Sequence, residues 1–198
     1  TTPSSISFSG STRSAGATAT WTVGFTTSST GALSAGDTIT VVFPAGFTIP
    51  ATPTVTLPTG FATCSAAAST SGQTVTITLA DNGGTCSLSS STAGTLTIAG
   101  ITNPAAGTYA GSGFTVKTSR DTATATLGSS IDIYGTASQV VFTTQPGGGT
   151  AGTAWSTQPV LTVEDSGGRT VANYGSNVTV AIKAGTGAGG ATLSGTTT

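Results

Sequence analysis

Charge is the scarcest thing in this sequence. Asp, Glu, Lys and Arg make up only 6% of its 198 residues, about a quarter of the usual share, and the formal net charge is -1. Without a basic field to neutralise phosphates, nucleic acid is excluded as a partner. Histidine is absent and Glu164 is the single glutamate, which removes the usual proton carriers near neutral pH and the commonest metal ligand. The sequence therefore predicts no enzymatic activity, no cofactor and no metal centre. Methionine is also absent, so Thr1 is read as a processed end or the edge of a fragment rather than a translation start. Long apolar runs are missing too. The mean hydropathy of +0.23 comes from Ala, Val and Ile scattered among Thr and Gly, and no stretch approaches the ~20 apolar residues that span a bilayer. The chain is expected not to be membrane-spanning.

Cysteine is nearly absent as well. Cys64 and Cys86, with nothing around them to suggest a metal site, suit one disulfide and an oxidising compartment, so a secreted protein, extracellular or at the cell surface, is expected. They flank the alternating run from Thr74 to Leu79. A bond between them would close a loop of about 20 residues and contribute about 3 kcal/mol on the chain-entropy account. No Lys, Arg or His neighbours either cysteine in sequence, which argues against a reactive thiol pair.

What the chain does contain is 46 threonines and 29 glycines, and their placement is regular. Apolar residues alternate with Thr or Ser at a period of two, the mark of half-buried strands. Ala19, Trp21, Val23 and Phe25 form one such series, Ile39, Val41 and Phe43 a second, and Val75, Ile77 and Leu79 a third. Leu96 with Ile98, Phe114 with Val116, and Ile131 with Ile133 continue the pattern. Gly, Pro, Asn and Ser clusters interrupt it every eight to twelve residues or so, a spacing typical of antiparallel sandwiches. Threonine suits the outward face because its branched Cβ favours the extended backbone while its hydroxyl stays hydrated. The same composition omits the lysines that normally blunt sheet edges, so exposed edges are expected to pair with other chains. A boundary is placed between Gly135 and Ser138. The expected fold is all-β, with two Ig-like antiparallel β-sandwich domains at residues 1–135 and 138–198.

The stretch ATWTVGFTTSSTGALSAGDTITVVFPAGFTIP from Ala19, with SGQTVTITLA from Ser71 and TLTIAGITNPAAGTYAGSGFTVKTSRDT from Thr95, resembles tandem Ig-like repeat modules of large secreted and cell-surface proteins of bacteria and archaea. In those modules a GI-x-NP turn precedes the last hairpin. From Ser138 onward, SQVVFTTQPGGGTAGTAWSTQPVLTVEDSGGRTV is similar to the opening of bacterial immunoglobulin-like repeats, with a V-x-D-x-x-G-x-x-V hairpin at Val163, Asp165, Gly168 and Val171. The resemblance implies a fold and an exterior location, and it supplies no catalytic residues. Such repeats usually continue for roughly three strands past TLSGTTT, so the second sandwich is expected to be incomplete, with four or five strands. Four or five missing inward side chains leave a deficit on the order of 10 kcal/mol, comparable to the whole stability of a domain. Completion is expected from a continuing chain or from a neighbour's donated strand. The apolar groove to be filled is lined by Val140, Phe142, Leu161, Val163, Val178, Val180 and Ile182, and the candidate donor strand is the segment around Ile6 and Phe8.

Other candidate sites are weaker. Asn177-Val178-Thr179 is an N-x-T sequon at the expected start of a strand, a candidate glycosylation site. Asp37, Asp81, Asp121, Asp132, Glu164 and Asp165 have the chemistry to bind calcium, but Asp37, Asp81 and Asp165 sit in Gly-rich turns where a carboxylate bonds its own backbone. Lys117 and Lys183 are candidates for an isopeptide crosslink only if a buried carboxylate adjoins them. Trp21 is in phase with the core series, whereas Trp155 is a candidate carbohydrate platform, so a glycan is kept as an alternative partner. The leading function is an extracellular structural protein, a subunit or repeat segment of a filament, tube, sheath or S-layer, whose partner is a homo-polymer or neighbouring repeats. The alternatives are an adhesin stalk or binding module, and the accessory domains of a secreted hydrolase.

Overall fold

The computed structural model describes residues 1–195. In chain order the strands are β1 (Ser4–Gly10), β2 (Thr18–Thr26), β3 (Leu33–Ser34), β4 (Thr38–Val42), β5 (Val55–Thr59), β6 (Cys64–Ser71), β7 (Thr74–Asp81) and β8 (Ser87–Leu88). They continue with β9 (Ala93–Thr102), β10 (Gly107–Tyr109), β11 (Thr115–Thr118), β12 (Ala125–Thr126), β13 (Ile131–Ile133), β14 (Ala137–Thr144) and β15 (Val160–Asp165). A single 3-10 turn at Gly111–Gly113 precedes β11, and there is no α-helix among the described residues. The protein is all-β.

A four-stranded sheet in the order β1-β2-β9-β5 faces a five-stranded sheet in the order β12-β11-β4-β7-β6, and every pairing within the two is antiparallel. The alternation explains the layering. Ala19, Trp21, Val23 and Phe25 of β2 are buried, as are Ile39 and Val41 of β4 and Val75, Ile77 and Leu79 of β7, while most of the threonines between them keep contact with solvent. Phe43, Phe47 and Phe114 fill the space around Trp21. The pairs β10-β13 and β3-β8 form short separate ladders.

One departure from strict alternation is built into β9. Ile98 and Ile101 are three residues apart, yet both are fully buried. The register between β2 and β9 shifts so that Trp21 opposes Ile98 and Ala19 opposes Ile101. Gly100, at φ +84°, supplies the left-handed residue that this bulge needs. The Gly of the GI-x-NP sequence is therefore a backbone requirement.

Two expectations are corrected here. The segment containing Ile6 and Phe8 is not a free donor strand: β1 pairs with β2 in its own sheet, and Phe8 packs against Phe43 and Phe114. Its apolar side chain and its inner backbone edge are already satisfied within the chain. The second unit also has fewer strands than the four or five expected. After Tyr134 the chain forms the β14-β15 hairpin, and residues 166–195 contain no strand, only an isolated bridge from Thr170 to Glu164. Val178, Val180 and Ile182 supply the apolar half of a strand, but no strand among the described residues offers them backbone partners.

Candidate assembly surface

The hairpin register puts Val140 opposite Val163 and Phe142 opposite Leu161, while Gln139 opposes Glu164 and Val141 opposes Thr162. Side chains alternate across a strand, so Val140, Phe142, Leu161 and Val163 share one face, and Gln139, Val141, Thr162 and Glu164 share the other. The structure thus brings together four of the seven residues expected to line the groove. Val178, Val180 and Ile182 lie in the irregular segment beyond, outside any sheet.

Exposure separates this region from the first sandwich. The exposed large apolar residues are Val140 (46%), Phe142 (43%), Val160, Tyr174 and Ile182, all after residue 137, whereas Trp21, Phe43, Phe47 and Phe114 are at most 2% exposed. Two strands alone make a marginal structure in water, and a hairpin that leaves its apolar face open lacks the layer that stabilises a sandwich.

A polar contact ties the hairpin to the link that precedes it. The Asp165 side chain is 3% exposed and accepts the Gly135 N–H at 2.8 Å, in the link that follows β13. It also accepts the N–H groups of Gly167 (2.8 Å) and Arg169 (3.0 Å) in its own turn, with the Arg169 guanidinium 3.7 Å away. The turn role was readable from Asp165-Ser166-Gly167-Gly168; the bond to Gly135, thirty residues earlier, was not. The Gly135 N–H first, then that of Arg169, hold the carboxyl below its ordinary value of 3.8 against the opposing effect of burial. A depressed folded-state pKa means that this contact is fully present above the unfolded value and is lost as pH falls through the lower folded value. The Gly135 amide resonance should accordingly titrate below pH 3.8 and stay flat over the same range in Asp165→Asn, which NMR at low pH would read directly.

The remaining carboxylates are also engaged. Asp37 accepts from Ser34 N–H, Ser119 Oγ and Arg120 Nε at 2.8–2.9 Å. Burial raises its carboxyl, but these bonds, led by Ser119, hold it below the ordinary value. Asp81 accepts from Cys86 N–H, and Asp132 from the Thr108 hydroxyl. Among the described residues no group of three or more His, Cys, Asp or Glu side chains gathers as a metal site. Cys64 and Cys86 are joined in a disulfide, linking the start of β6 to the chain entering β8. Asn177 is exposed in irregular chain rather than at the start of a strand. Trp21 is fully buried. Trp155 is half-buried beside a cleft of about 510 Å³ whose other walls include Gln158, Thr192, Ser194, Val180 and Leu193.

No family model matches the chain, and no curated protein matches it. Among solved structures it is similar to the crystal structure of BslA, a bacterial hydrophobin, at 21% identity, covering 66% of this chain and 96% of that one with a TM-score of 0.38. A likeness this slight carries no argument, and the functional reading rests on the chain's own geometry.

Proposed function

We propose that this chain is an extracellular structural protein, a subunit or repeat segment of a cell-surface filament, tube, sheath or S-layer, held together by β-sandwich contacts. The observation that carries the reading is the pair of exposed apolar side chains Val140 and Phe142, on a hairpin face completed by half-buried Leu161 and Val163, set beside a first sandwich that buries its own large side chains. Contiguous exposed apolar surface on an otherwise well-packed protein marks an interaction site. Three further features support it. The Cys64–Cys86 disulfide suits an oxidising exterior. The low charge leaves sheet edges without gatekeepers. The two facing antiparallel sheets, β1-β2-β9-β5 and β12-β11-β4-β7-β6, supply the layered β-sandwich architecture that the reading requires. The exchange is not donation of β1, which is already committed to its own sheet. Completion of the hairpin by adjoining protein remains the form of contact that fits.

The test is association of the oxidised chain, followed by light scattering and electron microscopy, against a Val140→Lys/Phe142→Lys double variant. Assembly lost in the variant, with the melting of the first sandwich unchanged, is the expected result.

The Trp155 cleft favours a second reading, a binding module for neutral glycans, because an aromatic face among uncharged hydroxyl and amide groups suits sugar rings. Tryptophan fluorescence titrated with cell-surface polysaccharide, and its loss in Trp155→Ala, would separate that reading from the first.

A further inference from the structure

The β14-β15 hairpin has two outer edges, and its hydrogen bonds treat them differently. In an antiparallel pair, a residue's N–H and C=O both point inward or both outward, alternating along the strand. The Val163 carbonyl accepts the Val171 N–H, and the Asp165 N–H donates to the Arg169 carbonyl, both at 2.9 Å. Val163 and Asp165 therefore turn their backbones away from β14, and the returning Arg169–Val171 segment occupies that edge. Thr162 and Glu164 point inward to their partners Val141 and Gln139. By the same alternation Val140 and Phe142 direct their backbone groups outward, to the side of β14 where no described strand lies. Their side chains are the 46% and 43% exposed ones. The strand, ASQVVFTT, has neither charge nor proline, two of the devices that protect natural edges.

We infer that this edge docks the β14 strand of a second copy of the chain, paired antiparallel about a two-fold axis at Val141. The inference rests on the assembly reading above and names one of its contacts. Register shifts at Ala137/Gln139 and Phe142/Thr144 confine the regular ladder to residues 139–142, because bulges end pairing. Within it, the segment 140–142 is self-complementary. Centred on Val141, it sets Val140 of each copy against Phe142 of the other in hydrogen-bonded pairs, with both apolar side chains on one face. No like charges meet across the axis.

The other edges fit less well. β1 already packs its Phe8 against Phe43 and Phe114 of its own core, and the register shift between Thr56 and Thr59 leaves β5 only Val55 and Thr56 in consecutive pairing. β6 is regular, but its Ala66 and Ala68 already pack on their own core, leaving small exposed side chains such as Ser65, Ala67 and Ser69. The product of β14 pairing is a continuous sheet, β15-β14-β14-β15, shared by two copies. A closed two-fold contact joins pairs, and growth of a polymer uses a second contact elsewhere.

The experiment is crosslinking of the full chain carrying Val141→Cys. Both native cysteines are held in their disulfide. In this register the two introduced cysteines lie about 4.5 Å apart at Cα, within disulfide reach. Mild oxidation should convert most of the associated protein to covalent dimer. Thr162→Cys, whose copies would stand about 14 Å apart across three strand spacings, should give little. Val140→Pro removes an outward N–H and leaves the hairpin's own bonds in place, so it should weaken association about tenfold or more. If that variant unfolds, the crosslinking decides alone. Failure of Val141→Cys to crosslink while the unmodified chain assembles, or equal crosslinking of both cysteine variants, overturns the strand pairing and leaves the assembly reading standing. An unmodified chain that stays monomeric overturns both.

Discussion

Replacing Trp21 with alanine is expected to destabilise the first sandwich by about 3–5 kcal/mol, the largest effect of any single side chain here. The indole is fully buried on β2 and is the centre of an aromatic group. It meets Phe47 edge-on at 5.4 Å and Phe43 at 5.8 Å, and stacks on Phe114 at 6.1 Å. Gly10 forms part of its roof: a Cβ there would stand 3.0 Å from two indole carbons and 2.8 Å from the Thr12 carbonyl oxygen. The cavity left by alanine is therefore bounded partly by backbone and by rings held in other contacts, which limits collapse. In a domain of this size the loss corresponds to a fall in melting temperature of roughly 10 °C. Denaturant unfolding checks it, and a loss below about 1 kcal/mol, far under the usual range, would show that Trp21 is not central to the core.

The second large effect is expected at Asn103, in the GI-x-NP turn. Its Oδ1 accepts the Trp21 indole N–H at 3.1 Å, and its Nδ2 donates to the carbonyls of Thr12 and Ser14, both at 3.0 Å. One buried amide thus joins β2, the end of β9 and the loop between β1 and β2. Asn103→Ala strands a buried indole donor and frees two carbonyls, at a cost of about 3 kcal/mol. Asn103→Asp should cost more, although it keeps the acceptor for Trp21, because it places a carboxylate against two carbonyl oxygens. Unfolding curves for the two variants, with tryptophan fluorescence as the probe, give the order. An aspartate variant as stable as the original would contradict the donor roles assigned to the amide.

These two residues mark how far the sequence could be read. Trp21 was legible because it sits in phase with Ala19, Val23 and Phe25, and alternation of that length has one physical meaning. The GI-x-NP turn was visible as a motif, yet what Asn103 does was not, since its partners lie 82 to 91 residues away and periodicity carries no information about pairing. The same limit explains the misplacement of Ile6 and Phe8: a short apolar strand looks identical whether its neighbour is in its own chain or another. Val140, Phe142, Leu161 and Val163 were legible as alternating apolar residues of two strands, which the structure pairs across the fifteen-residue connection 145–159. Val178, Val180 and Ile182 were not, because an alternating sequence forms a strand only where backbone partners exist.

Removing the hairpin's apolar face tests the central claim most directly. The oxidised chain and its Val140→Lys/Phe142→Lys variant should be compared by electron microscopy and light scattering over a range of protein and salt concentrations. Contacts made by backbone hydrogen bonds and apolar side chains predict ordered assemblies of the unmodified chain that persist at high salt, and a monomeric variant with an intact first sandwich. Assemblies that survive the double substitution, or an unmodified chain that stays monomeric throughout, would contradict the account.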